Sequence, residues 1–276
     1  MPVDNRHLVS VLLPFHNAAD TIAECVESML AQSLTAFEIV AVDDCSSDDS
    51  AQILQAYQDE RIRLVDSAQR GLVPALNTGL ACCKAPLVAR MDADDIMHTD
   101  RLLKQYEYMR CHHDVVLVAT QARKFPQASI RNGYREYMRW QNSVLSCEDV
   151  NNQIYIESPF AHPSVMFRRD SINAAGAYRS GKFPEDYELW LRLAQKGYRM
   201  EKLAEVLLDW RESGDRLSRV SENYSRSAFD RVRAEYLSRD PRILNRPIAF
   251  WGAGRKTRQR VQYLLDKGFE PTAWID

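Results

Sequence analysis

Strand alternating with helix over about the first 110 residues predicts an α/β fold, a mostly parallel central sheet flanked by helices on both faces. Three observations carry this. Short apolar runs of strand length recur, each is followed by a stretch with helical spacing, and acidic clusters close two of the runs. The 276 residues suffice for one large domain, or for a domain with an appendage. At 45% apolar and 27% charged residues the composition is that of a folded globule, not a disordered chain. A net charge of −2 argues against a nucleic-acid partner.

The elements follow in order. Residues 7–13, rich in Leu and Val, read as a buried strand stopped by Pro14. An amphipathic helix comes next, with Thr21 and Glu24 at capping-box spacing and Ile22, Val26, Met29 and Leu30 on its core face. Residues 37–42 form a second strand ending at Asp43-Asp44, and Ser46, Ser47 and Asp48 offer cap oxygens to a helix over 51–57. A third strand spans 61–65. A helix spans 73–83, with Pro74 tolerated in its first turn. Residues 86–91 make a fourth strand that delivers Asp92-Ala93-Asp94-Asp95. From about 115 to 167 the pattern is less regular, with a short strand and an Arg- and Tyr-rich stretch. Glu185-Asp186 then opens a helix, residues 206–210 read as strand, and residues 224–238 as a long polar helix.

Residues 241–247 look like a linker. After it a strand-helix-strand pattern restarts: 248–251, Gly252-Ala253-Gly254, a basic helix, and 273–276. The expected organisation is a main domain over 1–220, a helix and linker over 221–246, and a truncated Rossmann-like βαβ appendage over 247–276. The GxG there is an incomplete dinucleotide fingerprint, since Thr257 stands where a third glycine belongs. A turn needed for geometry alone explains it.

No stretch approaches the roughly 18 apolar residues of a membrane span. The six cysteines lack paired CxxC spacing, which suits a reduced, cytoplasmic protein. Cys111-His112-His113 does not read as a zinc site, because neighbours on a helix point about 100° apart. Residues 199–276 hold more Lys and Arg than Asp and Glu. Solvated helix faces account for this, as does contact with anionic lipid or phosphate.

Both acidic clusters fall where a parallel sheet binds ligands, beyond the carboxyl ends of its strands. In extended backbone Asp92 and Asp94 point the same way. Two carboxylates so placed suit Mn²⁺ or Mg²⁺, which takes one or two oxygens from protein and the rest from phosphate and water. Such an ion offsets charge on a departing diphosphate. Asp95 equally suits a cap for the helix near Asp100. Asp43 and Asp44 either cap the helix after them or accept hydrogen bonds from a nucleobase or ribose. Glu185 and Asp186 sit at a positive helix end that keeps carboxylates ionised, where one can take a proton from an attacking hydroxyl. An ordinary acidic helix start reads the same way.

Five segments occurring in order carry a resemblance: residues 10–17, residues 42–46, Gly71 through Asn77, residues 92–95, and Glu185-Asp186-Tyr187. Over roughly residues 7–220 the chain resembles the family-two inverting glycosyltransferases of GT-A fold, in particular bacterial members. The resemblance implies a GT-A-type nucleotide-diphospho-sugar transferase fold and a divalent ion, Mn²⁺ or Mg²⁺. Pro14, His16 and Asn17 match the loop bordering the nucleotide, Asp44 with Asp43 the carboxylate that reads the base, and Arg70 and Asn77 the segment flanking base and ribose. Asp94 matches the metal ligand of the DxD pair, with Asp92 nearer ribose or sugar. Asp186 matches the general base, and Glu185 its neighbour. His162 and Arg168 are similar to an acceptor-side segment, and Arg211 and Arg216 to a flap over the diphosphate. Implied partners are a UDP-, GDP- or dTDP-linked sugar and a glycan or lipid-linked acceptor. The implied setting is envelope polysaccharide or glycolipid synthesis in the cytoplasm, with peripheral contact at the inner face of the plasma membrane.

Three rivals remain. A sugar-nucleotide pyrophosphorylase leads its first strand into a Gly-rich basic loop, whereas this one leads into Pro14-Phe15-His16-Asn17. A NAD-dependent oxidoreductase needs the missing half of the terminal unit. A catalytically inactive scaffold of the same fold is opposed by the retained Asp92, Asp94 and Asp186.

Overall fold

The computed structural model describes residues 7–126, 132–213, 219, 221–244, 246–252 and 254–275. These form two compact units, Met1–Tyr178 with Tyr198–Ser213, and Arg179–Gly197 with Gly214–Asp276.

The first unit holds β1 (Val9–Phe15), α1 (Ile22–Leu30), β2 (Phe37–Asp43), α2 (Ser50–Ala56), β3 (Ile62–Asp66), α3 (Leu72–Cys82), β4 (Leu87–Arg90), β5 (Ile96–Met97), α4 (Arg101–Cys111), β6 (Val115–Phe125), α5 (Asn132–Ser143), α6 (Cys147–Gln153), β7 (Met166–Arg168), α7 (Arg169–Ala175) and β8 (Arg199–Arg211). Its eight strands run in the order β3-β2-β1-β4-β7-β6-β8-β5. The first four pair in parallel, as do β6 and β8, while β7 and β5 pair antiparallel with their neighbours. The mixed α/β sheet flanked by helices is thus present, with its parallel half built from the four strands legible in sequence.

Helices cover both faces of that half, so every residue of β1 is buried and the strand reads as a continuous apolar run. Val11, Leu13, Ile39 and Ala41 join Val26 and Met29 of α1 in one core. On the other face α3 lies close to the sheet at Gly79, where a Cβ would stand 2.2 Å from Leu12 Cδ1.

Two expectations are corrected. Pro14 does not stop β1, which continues to Phe15 in register with Asp43. The Phe15 carbonyl accepts from Asp44 N on the β2 side, whereas the Leu12 carbonyl accepts from Met91 N on the β4 side. Pro14 shares the parity of Leu12, and the β1–β4 pairing ends at Leu12 and Arg90, so its missing N–H breaks no ladder bond. The Thr21–Glu24 capping box does not form. Thr21 is the N-cap of α1 but makes no side-chain cap bond, because both side chains have other partners, given below.

The second unit contains α8 (Glu185–Gln195), α9 (Arg226–Leu237), β9 (Ala249–Trp251), α10 (Arg255–Leu265) and β10 (Ala273–Ile275). Tyr187, Leu189, Trp190, Leu191 and Leu193 of α8 are fully buried. The Tyr187 ring packs 5.4 Å from that of Phe229 on α9. Glu188 is paired with Arg192 at 2.8 Å and accepts from Tyr236 of α9, so this buried charge is matched on two sides. β9 and β10 pair in parallel with α10 between them in sequence. Among the described residues no helix is long and apolar enough to cross a membrane.

Candidate active site

β1 runs outward to β2 on one side and to β4 on the other, so the sheet reverses its winding at β1 and β4. Ligands of open α/β sheets bind at such a crevice, beyond the carboxyl ends of the strands. The loops after β1, β2, β3 and β4 carry His16 and Asn17, Asp44, Arg70, and Asp92 to Asp95 respectively.

The first three loops brace one another. The Asp44 carbonyl lies 2.8 Å from His16 Nδ1. Its carboxylate Oδ1 accepts from Gly71 N at 2.6 Å, and Oδ2 makes no hydrogen bond among the described residues. Gly71 has φ +126, a conformation open to glycine and little else, which lets the chain turn its N–H toward Asp44 before α3. Arg70 Nη2 approaches His16 Nε2 at 3.4 Å. Asn17 Oδ1 accepts from Ser47 N at 2.7 Å, and Asp43 Oδ1 accepts from Ser46 N at 2.8 Å. Asp43 therefore holds its own turn. Neither Asp43 nor Asp44 caps α2, whose N-cap is Asp49.

The fourth loop differs from its sequence reading. Asp95 N donates to the Asp92 carbonyl at 3.3 Å, so residues 92–95 form a turn rather than extended backbone. The turn draws in a third carboxylate: ligand atoms of Asp92, Asp94 and Asp95 all lie within 4.8 Å of one another. Asp95 is not a cap for α4, whose N-cap is Asp100; it is fully buried and its Oδ1 accepts from Arg211 N at 2.7 Å.

Three acids this close repel, and the fold supplies the opposing forces. Arg90, 2% exposed, is ion-paired with Asp92 Oδ1. Arg101 is fully buried beneath the turn, donating to the Arg90 carbonyl at 3.0 Å. Burial brings its guanidinium down to about 9 against the upward push of the Asp95 charge, so Arg101 stays a cation at neutral pH. Thr21 Oγ1 donates to the Ala93 carbonyl at 3.0 Å, Cys25 Sγ to the Asp92 carbonyl at 3.2 Å, and Arg211 Nε to the Asp94 carbonyl at 2.6 Å. Burial, followed by the charges of Asp95, Asp94 and Asp92, holds the Cys25 thiol well above its usual range, so it remains a donor. Arg211 is further tied to the Glu24 carboxylate and lies 4.4 Å over the Phe125 ring. Thr21 and Glu24 thus act on the acidic turn rather than on α1.

A set of close carboxylate oxygens fits a hard divalent cation, which takes oxygen ligands and tolerates incomplete protein coordination. Asp92, Asp94 and Asp95 are the residues that would hold it.

Other expected site residues are placed as follows. Asn77 uses both ends of its amide on the Tyr178 backbone, accepting at 3.1 Å and donating at 3.0 Å. His162 is buried, with Nε2 2.9 Å from the Tyr178 hydroxyl. Arg168 donates to the Val115, Met109 and His112 carbonyls, which closes the C-terminal turn of α4. These three support loops. Arg216 lies outside the described residues. In the second unit, Glu185 is buried and accepts from Tyr224 at 2.5 Å. Asp186 is half-buried in the first turn of α8, its Oδ1 accepting from Tyr187 N at 2.7 Å. Arg90, Arg101 and Cys25 were not identified from sequence, and Asp95 and Thr21 were read there as helix caps. Only its place beside Asp94 hinted at a site role for Asp95.

This fold and acidic turn are those of a glycosyltransferase class of protein, and comparison with known sequences agrees. The model of the family "Glycosyl transferase family 2" matches residues 10–176, and the chain belongs to that family. It is 33% identical over 226 residues to the amylovoran biosynthesis glycosyltransferase AmsE of Erwinia amylovora, covering 80% of this chain and 82% of that one. It is 31% identical over 212 residues to the O-antigen biosynthesis glycosyltransferase WbnJ of Escherichia coli, with 74% and 79% covered. Among solved structures, S. aureus TarS 1-349 in complex with UDP-GlcNAc superposes with a TM-score of 0.65 at 17% identity, covering 94% of this chain and 80% of that one. The mannosyltransferase PcManGT from Pyrobaculum calidifontis, in complex with GDP-Man and Mn²⁺, gives 0.60 at 20% identity, with 95% and 69% covered. These two likenesses concern the fold.

Proposed function

We propose that this glycosyltransferase is a metal-dependent, inverting enzyme that moves a sugar from a nucleoside diphosphate to an acceptor hydroxyl in bacterial envelope polysaccharide or glycolipid synthesis. The observation that carries the reading is the acidic turn of Asp92, Asp94 and Asp95 at the sheet's switch point, backed by buried arginines. AmsE and WbnJ are by name glycosyltransferases of amylovoran and O-antigen biosynthesis, and the two solved neighbours hold UDP- and GDP-linked sugars, which supports the donor class.

Asp44 Oδ2 accepts from the base N–H of the donor, while Gly71 fixes the other oxygen. His16 and Arg70 border the same nucleotide. Asp94, with Asp92 and Asp95, would hold a divalent ion, Mn²⁺ or Mg²⁺, which when bound would supply positive charge against the leaving diphosphate. Arg90 and Arg101 offset the negative charge of those carboxylates and keep them together. Asp186, with its carboxylate at the positive end of α8, takes the proton from the acceptor hydroxyl as that oxygen attacks the anomeric carbon. The diphosphate departs from the opposite face, so configuration inverts.

A donor panel of UDP-, GDP- and dTDP-sugars, scored by nucleotide release with and without Mn²⁺, tests the class. Turnover independent of metal, or none with any donor, overturns it. Asp186→Asn is expected to abolish transfer and to leave metal-dependent nucleotide binding nearly intact; transfer at the native rate refutes the base assignment.

A further inference from the structure

The second unit carries a groove that the transfer chemistry does not use. It is an open cavity of about 1020 Å³ lined by residues of α9 and α10, among them Arg226, Arg255, Lys256, Arg258 and Arg260 against a single acid, Asp230. That acid is already matched twice, by Arg233 at 2.7 Å and Arg260 at 3.5 Å. Arg226, Arg255 and Lys256 are exposed, and among the described residues none has an acidic partner. Gathering like charges on one concave surface works against folding, and it concentrates anions.

Apolar aromatic surface adjoins the cations. The Arg258 guanidinium lies 5.9 Å from the Trp274 ring centroid. Trp274 is followed by Ile275, in register with Trp251 on β9. Trp251 is 81% exposed, Ile275 43% and Trp274 40%. Tryptophan beside basic side chains is the pairing that settles at a lipid–water boundary, ring at headgroup level and cation on phosphate. A small soluble phosphate compound would engage the cations and leave the aromatic edge in water. A bilayer engages both.

We propose that the α9–α10 groove and the neighbouring Trp251–Trp274 edge form a docking surface for a bilayer of anionic phospholipid. Arg226, Arg255, Lys256 and Arg258 hold the headgroup phosphates, and Trp251 inserts at the boundary. Only the biological sense of this docking rests on the reading of the acceptor as lipid-linked. The binding itself needs neither donor nor acceptor.

The test is co-sedimentation of the full chain with vesicles of phosphatidylglycerol and phosphatidylcholine in equal parts, and with vesicles of phosphatidylcholine alone. The protein is expected to bind the first and not the second. Each basic residue near an anionic surface contributes about 1 kcal/mol, so Arg255→Gln with Lys256→Gln should lower partition about thirty-fold. Arg231→Gln with Arg246→Gln removes the same charge outside the groove and should cost less than about threefold. A tryptophan emission shift on binding should be lost in Trp251→Phe. Equal loss in both double variants, or equal binding to both vesicles, overturns the groove. Calorimetry with inorganic pyrophosphate covers the remaining source: groove-dependent binding of that anion without vesicle binding overturns the bilayer. All of these positions are on the surface, and matching thermal melts exclude misfolding. Nucleotide release from the donor in solution should be unchanged in the Arg255→Gln, Lys256→Gln protein. For the native protein, absent vesicle binding with turnover intact sinks this inference alone, and absent turnover with vesicle binding intact sinks the proposed function alone.

Discussion

Replacing Arg211 by alanine tests whether the acidic turn is held in shape by the strand that ends beside it. The side chain donates to the Asp94 carbonyl at 2.6 Å, pairs with Glu24, and covers the Phe125 ring at 4.4 Å. A hydrogen bond from a charged donor contributes ~1.5–3 kcal/mol. The Glu24 partner is 56% exposed, so that pair adds at most about 1 kcal/mol. Contact with the ring adds roughly 0.5–1 kcal/mol. These terms share one guanidinium and do not sum freely, so the expected loss is about 2–3 kcal/mol. The backbone bond from Arg211 N to Asp95 Oδ1 survives the change, and the chain should fold. Thermal melting should fall by several degrees, and Mn²⁺ titration should show weaker binding, because the Asp94 end of the turn is no longer fixed. Glu24→Ala removes only the exposed pair and should cost about 1 kcal/mol or less. If Arg211→Ala melts and binds Mn²⁺ like the native protein, or if Glu24→Ala is equally damaging, the clamp has been misread.

Asp44→Asn keeps an oxygen for Gly71 N but removes the charge; nucleotide affinity measured by calorimetry should drop while the melting curve changes by less than about 1 kcal/mol. Gly79→Ala pushes a Cβ to within 2.2 Å of Leu12 Cδ1 and 2.7 Å of Val42 Cγ2, and should destabilise by about 1–3 kcal/mol despite alanine's better helix propensity. Lys202 is buried, its Nζ donating to the Pro159 carbonyl at 2.8 Å and to the Gln141 carbonyl, and burial brings it down to about 7. Between that value and the ordinary lysine range the unfolded chain binds the extra proton, so this residue makes stability rise with pH from about 7 upward. Lys202→Met should flatten that rise in melts across pH, and an unchanged slope would falsify the assignment.

The parallel half of the sheet was legible because both its faces are covered, so strands of apolar residues alternate with amphipathic helices and turn residues. The other half was not. β8 was read as residues 206–210 but spans Arg199–Arg211, because Glu201 and Lys202 are buried polar residues satisfied by partners such as the Tyr108 hydroxyl and the Pro159 carbonyl. A buried lysine whose ammonium finds carbonyls looks, in sequence, like a loop residue. β5 has two residues and β7 three, too short for any period to show. The capping box failed for a related reason. Spacing says which side chains can meet along a helix, but not that Ala93 and Arg211, far away in sequence, offer Thr21 and Glu24 better partners.

In the acidic turn the acids were visible and their counterweights were not. Arg90 ends β4 and Arg101 opens α4, where arginine ordinarily reads as a solvated strand end or helix start. Both are almost wholly buried, and their charge is balanced by the acids above them. Removing one partner of such a pair strands a charge in low dielectric, at a cost of ~3–5 kcal/mol. The dependence therefore runs both ways: the arginines hold the carboxylates ready for a cation, and the carboxylates make the buried arginines tolerable. Arg90→Met should accordingly lose more stability than the Arg90→Met, Asp92→Asn pair, because the double exchange leaves no unmatched charge beneath the turn. Melts of the three proteins decide it, and a double variant less stable than the single one would mean that Arg90 acts by filling space.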